Sequence, residues 1–468
     1  MNKKNQPSIL EASLVLTFII ASIALSVIVL KVTPNIAILF SIALVLLYVV
    51  IKRIPFDRVN EGIVNGIKPG IIPIFIFLLV GALISVWIQA GIIPTLMVYG
   101  FKMISVKWFV PSIFIVCAIV GSAVGSAFTV MSTIGLAFFG IGTTLGIHPP
   151  LIVGAIASGA IFGDKMSPLS ESTNLAAAIA EVDLFKHIRN MMWSTIPAFI
   201  VSLLLFSVLG ISERTVDLAE IELVVQVLES HFTISLWALL PIVMMFVCAW
   251  RRIPAILTLL LNIGIGIIFI LVQTPETPII QIASFIESGF VSDTGDRAID
   301  LLLSRGGIAS MMPTVSLILL TLSLGGLLME TNLIGAVMNV VAHQLKRTSG
   351  VIIASLLTSI GVNLFIGEQF LSVILPGNAF KQVYKENHID LVVLSRSLED
   401  GGTVMNYLIP WGIAGSFVAG TFGIPTITYL PFVFFSLLSP IFSMLSAITG
   451  IGVSYTDGTP SKKFFGAK

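Results

Sequence analysis

The residues best equipped for chemistry in this 468-residue chain sit in short polar strings inside otherwise apolar sequence. The longest is Gly163-Asp164-Lys165-Met166-Ser167-Pro168-Leu169-Ser170-Glu171-Ser172-Thr173-Asn174, where Asp164 offers a carboxylate and Ser167, Thr173 and Asn174 offer neutral oxygens. A hard cation such as Na+ prefers oxygen donors, and one carboxylate neutralises it. Desolvation penalises a bare carboxylate, so a proton competes with Na+ for the same group. Competition for one carboxylate is the simplest route to exchange. Lys165 reads as a structural partner of Asp164 or Glu171, with a substrate carboxylate as the alternative.

Three further strings carry polar groups. In Gly121 to Thr129, the hydroxyls of Ser122, Ser126 and Thr129 share one face if the segment stays helical, although small-residue helix packing explains the same pattern. Asn363 to Gln369 holds Asn363 and a second candidate proton or cation carrier, Glu368. Arg396 to Thr403 holds Asp400, which reads as the weaker partner of Asp164, with Asn406 one turn beyond Thr403. Half-helix N-termini carry partial positive charge, so Ser122, Ser126, Thr129, Ser172, Thr403, Asn406 and Arg396 are candidates for holding a substrate anion. Arg396 can equally pair with Asp400 on a helix surface.

The elements that must position these groups follow from composition. Apolar residues make up 56% and charged residues 10% of the chain, and mean hydropathy is +1.05. Apolar stretches long enough to cross a bilayer recur throughout, which predicts an all-α polytopic membrane protein of roughly 11–13 membrane segments. The expected division is N-terminal spans over 1–70, a first repeat over 71–210, external and connecting segments over 211–310, a second repeat over 311–425, and a last span with a basic tail over 426–468. Gly125, Phe128, Gly135, Ala137 and Phe138 recur at one constant offset as Gly367, Phe370, Gly377, Ala379 and Phe380, and Pro73 has a near-partner in Pro313. Lys3, Lys4, Lys52, Arg53, Arg58, Lys68, Lys186, Arg189, Arg251, Arg252, Lys346, Arg347, Lys462 and Lys463 mark cytoplasmic loops and place both termini inside. The acid-rich segments 213–229 and 276–300 then fall outside, and the two halves run in opposite directions. Backbone freed by breaks at Gly163 to Pro168 and at Arg396 to Thr403 needs partners at membrane depth, which makes broken or re-entrant helices the expected frame of the site.

Several function classes drop out. A net charge of +1 gives no basic footprint for nucleic acid. There is no phosphate-binding Gly-x-x-x-x-Gly-Lys-Ser/Thr loop and no His-Glu-x-x-His zinc motif, so neither a nucleotide-driven pump nor a zinc enzyme is expected, and no cofactor is implied. An intramembrane aspartyl enzyme and a channel are weaker alternatives, because carboxylates in two inverted halves suit alternating access. Cys117 and Cys248 read as core residues, and His148 and His187 as solvated or capping groups.

The string Gly163 to Ala176, with Glu399-Asp400-Gly401-Gly402, resembles the NhaC family of Na+/H+ antiporters over nearly the entire chain. The resemblance implies a multi-pass bacterial cell-membrane exchanger with Na+ and H+ as coupling ions, in which Asp164, Ser167, Thr173 and Asn174 bind the cation. Some members of the family exchange external malate and protons for internal lactate and Na+, and the likeness to these is strongest. A plain Na+/H+ antiporter without an organic substrate is the alternative, and the residues leave both open.

Overall fold

The computed structural model describes residues 7–103, 108–210, 218–251, 253–343 and 347–456. Lys3, Lys4, Arg252, Lys346, Lys462, Lys463 and Glu213, used above for sidedness, lie outside these residues. The described chain is helical and holds no strand, only a single bridge between Ile389 and Tyr455. Eight of its helices are long and apolar enough to cross a membrane, two bent pairs raise the number to 10, and three shorter apolar helices accompany them. This is the polytopic, broken-helix architecture that the hydropathy predicts.

Burial separates an inner set of helices from an outer ring. The windows in Ala127–Thr144 and Ile308–Glu330 are 67% buried, whereas those in Pro34–Ile51 and Leu184–Leu209 are 33% and 28% buried. The outer helices turn Leu39, Leu47, Ile200, Leu204 and Val208 outward, as lipid requires of a face that must not carry polar groups.

Two pairs of interrupted helices form the centre, and they share their local design. Helix Phe109–Val124 ends at Gly125 with φ 69°, and helix Thr348–Ile366 ends at Gly367 with φ 68°, the left-handed conformation that glycine adopts without strain. In each case the glycine N–H returns to the carbonyl four residues back, Gly121 or Asn363, at 2.7 Å. The next residue is extended and caps the following helix: Ser126 accepts from the Thr129 N–H and Glu368 from the Leu371 N–H. Each glycine also lies against the break of its partner helix, so that a Cβ on Gly125 would stand 2.8 Å from Leu169 Cβ and one on Gly367 would stand 3.2 Å from the Trp411 carbonyl.

Two expected breaks lie elsewhere than the sequence suggested. Helix Pro149–Met166 continues through Gly163 and Asp164, and the chain unwinds only from Ser167 until Ser170 caps helix Glu171–Ala180. Gly163 serves packing, since a Cβ there would meet Gly121 Cα and the Ala118 carbonyl at 2.5 Å. In the second half, Leu391–Leu398 runs on as a π-helix over Glu399–Thr403 and a 3-10 turn over Val404–Leu408. The break there is Ile409 to Gly412, before helix Ile413–Phe422. Arg396 to Thr403 is therefore wound rather than open.

Candidate functional site

The first crossing opens into a cavity of about 880 Å³. Its wall carries Ser126, Thr129, Asp164, Ser170, Ser172, Asn174 and Gln369, and Lys68 and Glu171 line it from exposed positions. Phe77 and Phe128 form its apolar side; Phe77 stacks on Phe417 at 4.8 Å, and Phe128 meets Phe417 edge-on at 4.8 Å. Such packing excludes water behind the polar wall.

Asp164 lies near the C-terminal end of its helix and faces the Ser170 hydroxyl and the Ala127 N–H. Its carboxylate thus meets the start of both helices that follow the breaks, where unsatisfied N–H groups favour negative charge. Asp164 is 9% exposed, whereas Glu368 is 1% and Glu399 and Asp400 are 0% exposed. Of the carboxylates buried in the described core, Asp164 is the one that reaches the cavity.

The other candidates divide by position. Ser126, Thr129, Ser172 and Asn174 line the cavity with Asp164. Thr129 donates to Ser126 Oγ at 3.0 Å, and Asn174 donates to the carbonyls of Pro168 and Ser170 at 2.9 and 2.7 Å, which ties down the break. Ser167 and Thr173 are fully buried. Ser167 Oγ accepts the Leu169 N–H at 3.2 Å, and Thr173 donates to the Lys165 carbonyl at 3.1 Å. Both therefore stitch the backbone and stand off the cavity wall. Ser122 donates back to the Ala118 carbonyl at 2.9 Å, and the turn at Gly125 separates it from the Ser126 face, so the three-hydroxyl helical face does not form.

Of the second-half candidates, Asn363 and Asn406 bond to each other away from the cavity. Asn406 donates to Asn363 Oδ1 at 2.6 Å and accepts the Ala414 N–H at 2.8 Å, while Asn363 donates to the Gly402 carbonyl. Glu368 spends one carboxylate oxygen on the Leu371 N–H at 2.7 Å. Thr403 is buried, and its hydroxyl has no partner among the described residues. The offset that carries Gly125 onto Gly367 also carries Asp164 onto Asn406 and Pro168 onto Pro410, so the positional counterpart of Asp164 is Asn406 rather than Asp400.

Three charge assignments change. Lys165 binds neither Asp164 nor Glu171: it pairs with Asp400 across the two halves and donates to Ser439 at 2.9 Å. Ser439 also donates to Asp400 Oδ1 at 2.6 Å, which completes a wholly buried pair. Arg396 is not on a helix surface paired with Asp400, nor at the cavity; it is fully buried and donates to the Gly452 carbonyl at 3.2 Å and to Ser446 at 2.9 Å. His187, expected to be solvated, is buried with Nδ1 2.7 Å from Ser395 Oγ, whereas His148 is exposed.

Sequence reasoning passed over Ser170 and Glu399 as site residues. Ser170 was detectable as the Ser that follows Pro168 and precedes an alanine-rich helix, the pattern of an N-cap. Glu399 had only its neighbour Asp400 to mark it. Among the described residues no group of three or more His, Cys, Asp or Glu side chains is arranged to hold a metal ion, so a cation here would rely on hydroxyl, amide and backbone oxygens besides Asp164.

The model of a Na+/H+ antiporter family matches residues 6–173 and 159–451. The chain is 40% identical over 450 residues to the Na+/H+ antiporter NhaC of Alkalihalophilus pseudofirmus, covering 96% of this chain and 97% of that protein. It is 37% identical to the Na+/H+ antiporter NhaC of Bacillus subtilis, covering 89% and 92% of the two chains. With the malate-2H+/Na+-lactate antiporter of Bacillus subtilis it shares 31% identity over 97% and 98% of the two chains.

Proposed function

Because the chain belongs to the Na+/H+ antiporter family, we propose that it exchanges Na+ for H+ across the cell membrane and that Asp164 takes the two ions in turn. The observation that carries this reading is the position of Asp164: a buried carboxylate at the crossing of two helix breaks, open to a cavity and flanked by hydroxyls. A single carboxylate in this setting holds one cation at a time, so loading with Na+ expels the proton. Asp400, already neutralised by Lys165, stays out of the cycle as part of the frame joining the halves. The basic loops put both termini on the cytoplasmic side in this reading.

Exchange of malate and protons for lactate and Na+ is the finer reading, supported by the relative that bears that name. The cavity favours it less. Among the described residues its wall has one cationic side chain, Lys68, which is exposed and donates to Asn65 at 2.8 Å, against the carboxylates of Asp164 and Glu171. A dicarboxylate is normally held by guanidinium forks or several donors, and Arg396 is turned to Gly452 and Ser446 instead. Plain Na+/H+ exchange is the better-supported of the two.

The test is sodium-driven proton movement in proteoliposomes with and without malate and lactate. Full exchange without either acid is expected, and a strict requirement for both would restore the organic-acid reading. Asp164→Asn, inserted normally, should lose at least about 100-fold in rate, as expected when an essential ionisable group is neutralised; exchange near the wild-type rate in this variant would remove Asp164 from the mechanism.

A further inference from the structure

Glu399 is a buried carboxylate that the arrangement above leaves without a role. It sits in the π-helix Glu399–Thr403, a winding that recurs at functional sites, and its side chain is 0% exposed. Oε1 accepts from Ser172 at 3.1 Å, while Oε2 is buried with no partner among the described residues. Ser172 in turn lies 3.0 Å from the Ser170 hydroxyl, and Ser170 faces Asp164. A line of two hydroxyls thus joins the carboxylate on the cavity to the one behind it.

The charges around Glu399 do not neutralise it. The charges of Asp164 and Lys165 on helix Pro149–Met166 and of Asp400 in its own winding act on it, and Tyr407 of the following turn lies within its field. The Lys165 ammonium is occupied by Asp400 and Ser439, with Ser194 at 3.4 Å. Lys165 and Asp400 cancel, and Arg396 is held at Gly452 and Ser446. A carboxylate with a bare oxygen in a low-dielectric interior is costly as a free anion, which favours a proton or another monovalent cation on it.

We propose that Glu399 is a second cation-holding carboxylate of the exchange site, taking one monovalent cation, H+ or Na+, that passes to it from Asp164 by way of the Ser170 and Ser172 hydroxyls. The inference rests on the Na+/H+ exchange proposed above. It assigns the two acids different posts: Asp164 meets the cavity, and Glu399 stores charge behind it.

The full-length protein in liposomes tests this with a proton-sensitive dye and radioactive Na+, alongside calorimetric titration with NaCl. Wild type must first exchange Na+ for H+; if it does not, the functional reading fails before Glu399 is tested. Glu399→Gln keeps the Ser172 hydrogen bond and removes the charge. It should slow exchange at least tenfold and flatten its pH dependence. Na+ affinity within threefold of wild type identifies the ion on Glu399 as a proton, and lost Na+ affinity identifies it as Na+. Ser172→Ala should slow exchange severalfold while leaving Na+ affinity intact. Exchange by Glu399→Gln within twofold of wild type, with an unchanged pH profile, overturns the proposal. Should that variant fail to insert, the infrared difference spectrum of wild type on adding NaCl decides: two carboxyl bands are expected, one of them absent in Asp164→Asn, and a single band overturns the proposal.

Discussion

The two helix crossings at the centre of the molecule share a glycine-capped break and differ in the side chains set around it. At the first, Gly125 lies against Leu169, Ser126 caps the next helix, and the buried position ahead of the break is Asp164. At the second, Gly367 lies against Trp411, Glu368 is the cap, and the corresponding position is Asn406. The second crossing closes on itself: Asn406 binds Asn363, Trp411 donates to the Leu364 carbonyl at 2.7 Å, and the Ile413 N–H reaches the Gly367 carbonyl at 2.8 Å. The first leaves a carboxylate facing a cavity. A glycine-capped break therefore serves both as a strut and as the frame of a candidate site, and the distinction lies in whether the polar groups at the crossing bond to one another or face a cavity.

The comparison breaks most sharply if the strut is given the charge of the site. Asn406→Asp loses the donor to Asn363 and sets a buried carboxylate oxygen against Asn363 Oδ1, with the Ala414 N–H as its donor among the described residues, which should cost about 3 kcal/mol or more. Thermal unfolding in detergent measures it, and an unchanged midpoint would show that the second crossing is not sealed. A smaller effect should separate the two glycines. Either Gly125→Ala or Gly367→Ala forces a left-handed φ on a side chain, at about 1–3 kcal/mol, and adds a clash, since the new Cβ would stand 2.8 Å from Leu169 Cβ or 2.6 Å from Thr321 Cγ2. The Gly125 variant should also lose exchange, because it displaces Ser126 and the Ala127 N–H facing Asp164. Equal loss of exchange in both variants would make the crossings functionally alike.

The smallest effect belongs to the surface tie between the halves. Glu181 accepts from Lys381 at 3.0 Å, and that hydrogen bond, with the charges of Lys381 and Lys385, holds its carboxyl below the usual Glu range. A lowered pKa stabilises the fold above the unfolded value and loses that contribution as pH falls through the folded one, so acid, not alkali, weakens this tie. Glu181→Gln should leave exchange at neutral pH within about twofold, as exposed pairs contribute little, and should reduce the loss of thermal stability between neutral and acid pH. An unaltered acid response would remove the tie from the account.

Much of the frame was legible in the chain. Apolar run lengths gave the spanning helices, Ile71–Gln89 among them, and the repeated glycines gave the two crossings. The polar strings pointed to Asp164, which the structure places on the wall of the cavity, since polar groups inside apolar runs need partners there. Partners were another matter. Nothing near Lys165 in sequence indicates Asp400, which is distant in the chain and adjacent in space, and nothing near Arg396 indicates Gly452 and Ser446. Asp164 and Asp400 are alike in chemistry but not in position, since the offset of the repeat carries Asp164 onto Asn406.

The sequence by itself determined that this protein lives in a bilayer, that glycines recur at one offset along its two halves, and that Asp164 lies in a polar string inside apolar sequence. Those are properties of composition, spacing and local backbone preference, which act within a few residues of each other. Tertiary structure decided which carboxylate remains available. Lys165 meets Asp400, Asn363 meets Asn406, and Ser172 meets Glu399 only when the halves pack together. In an interior without water, the availability of a charge depends on its partners in space rather than its neighbours in the chain.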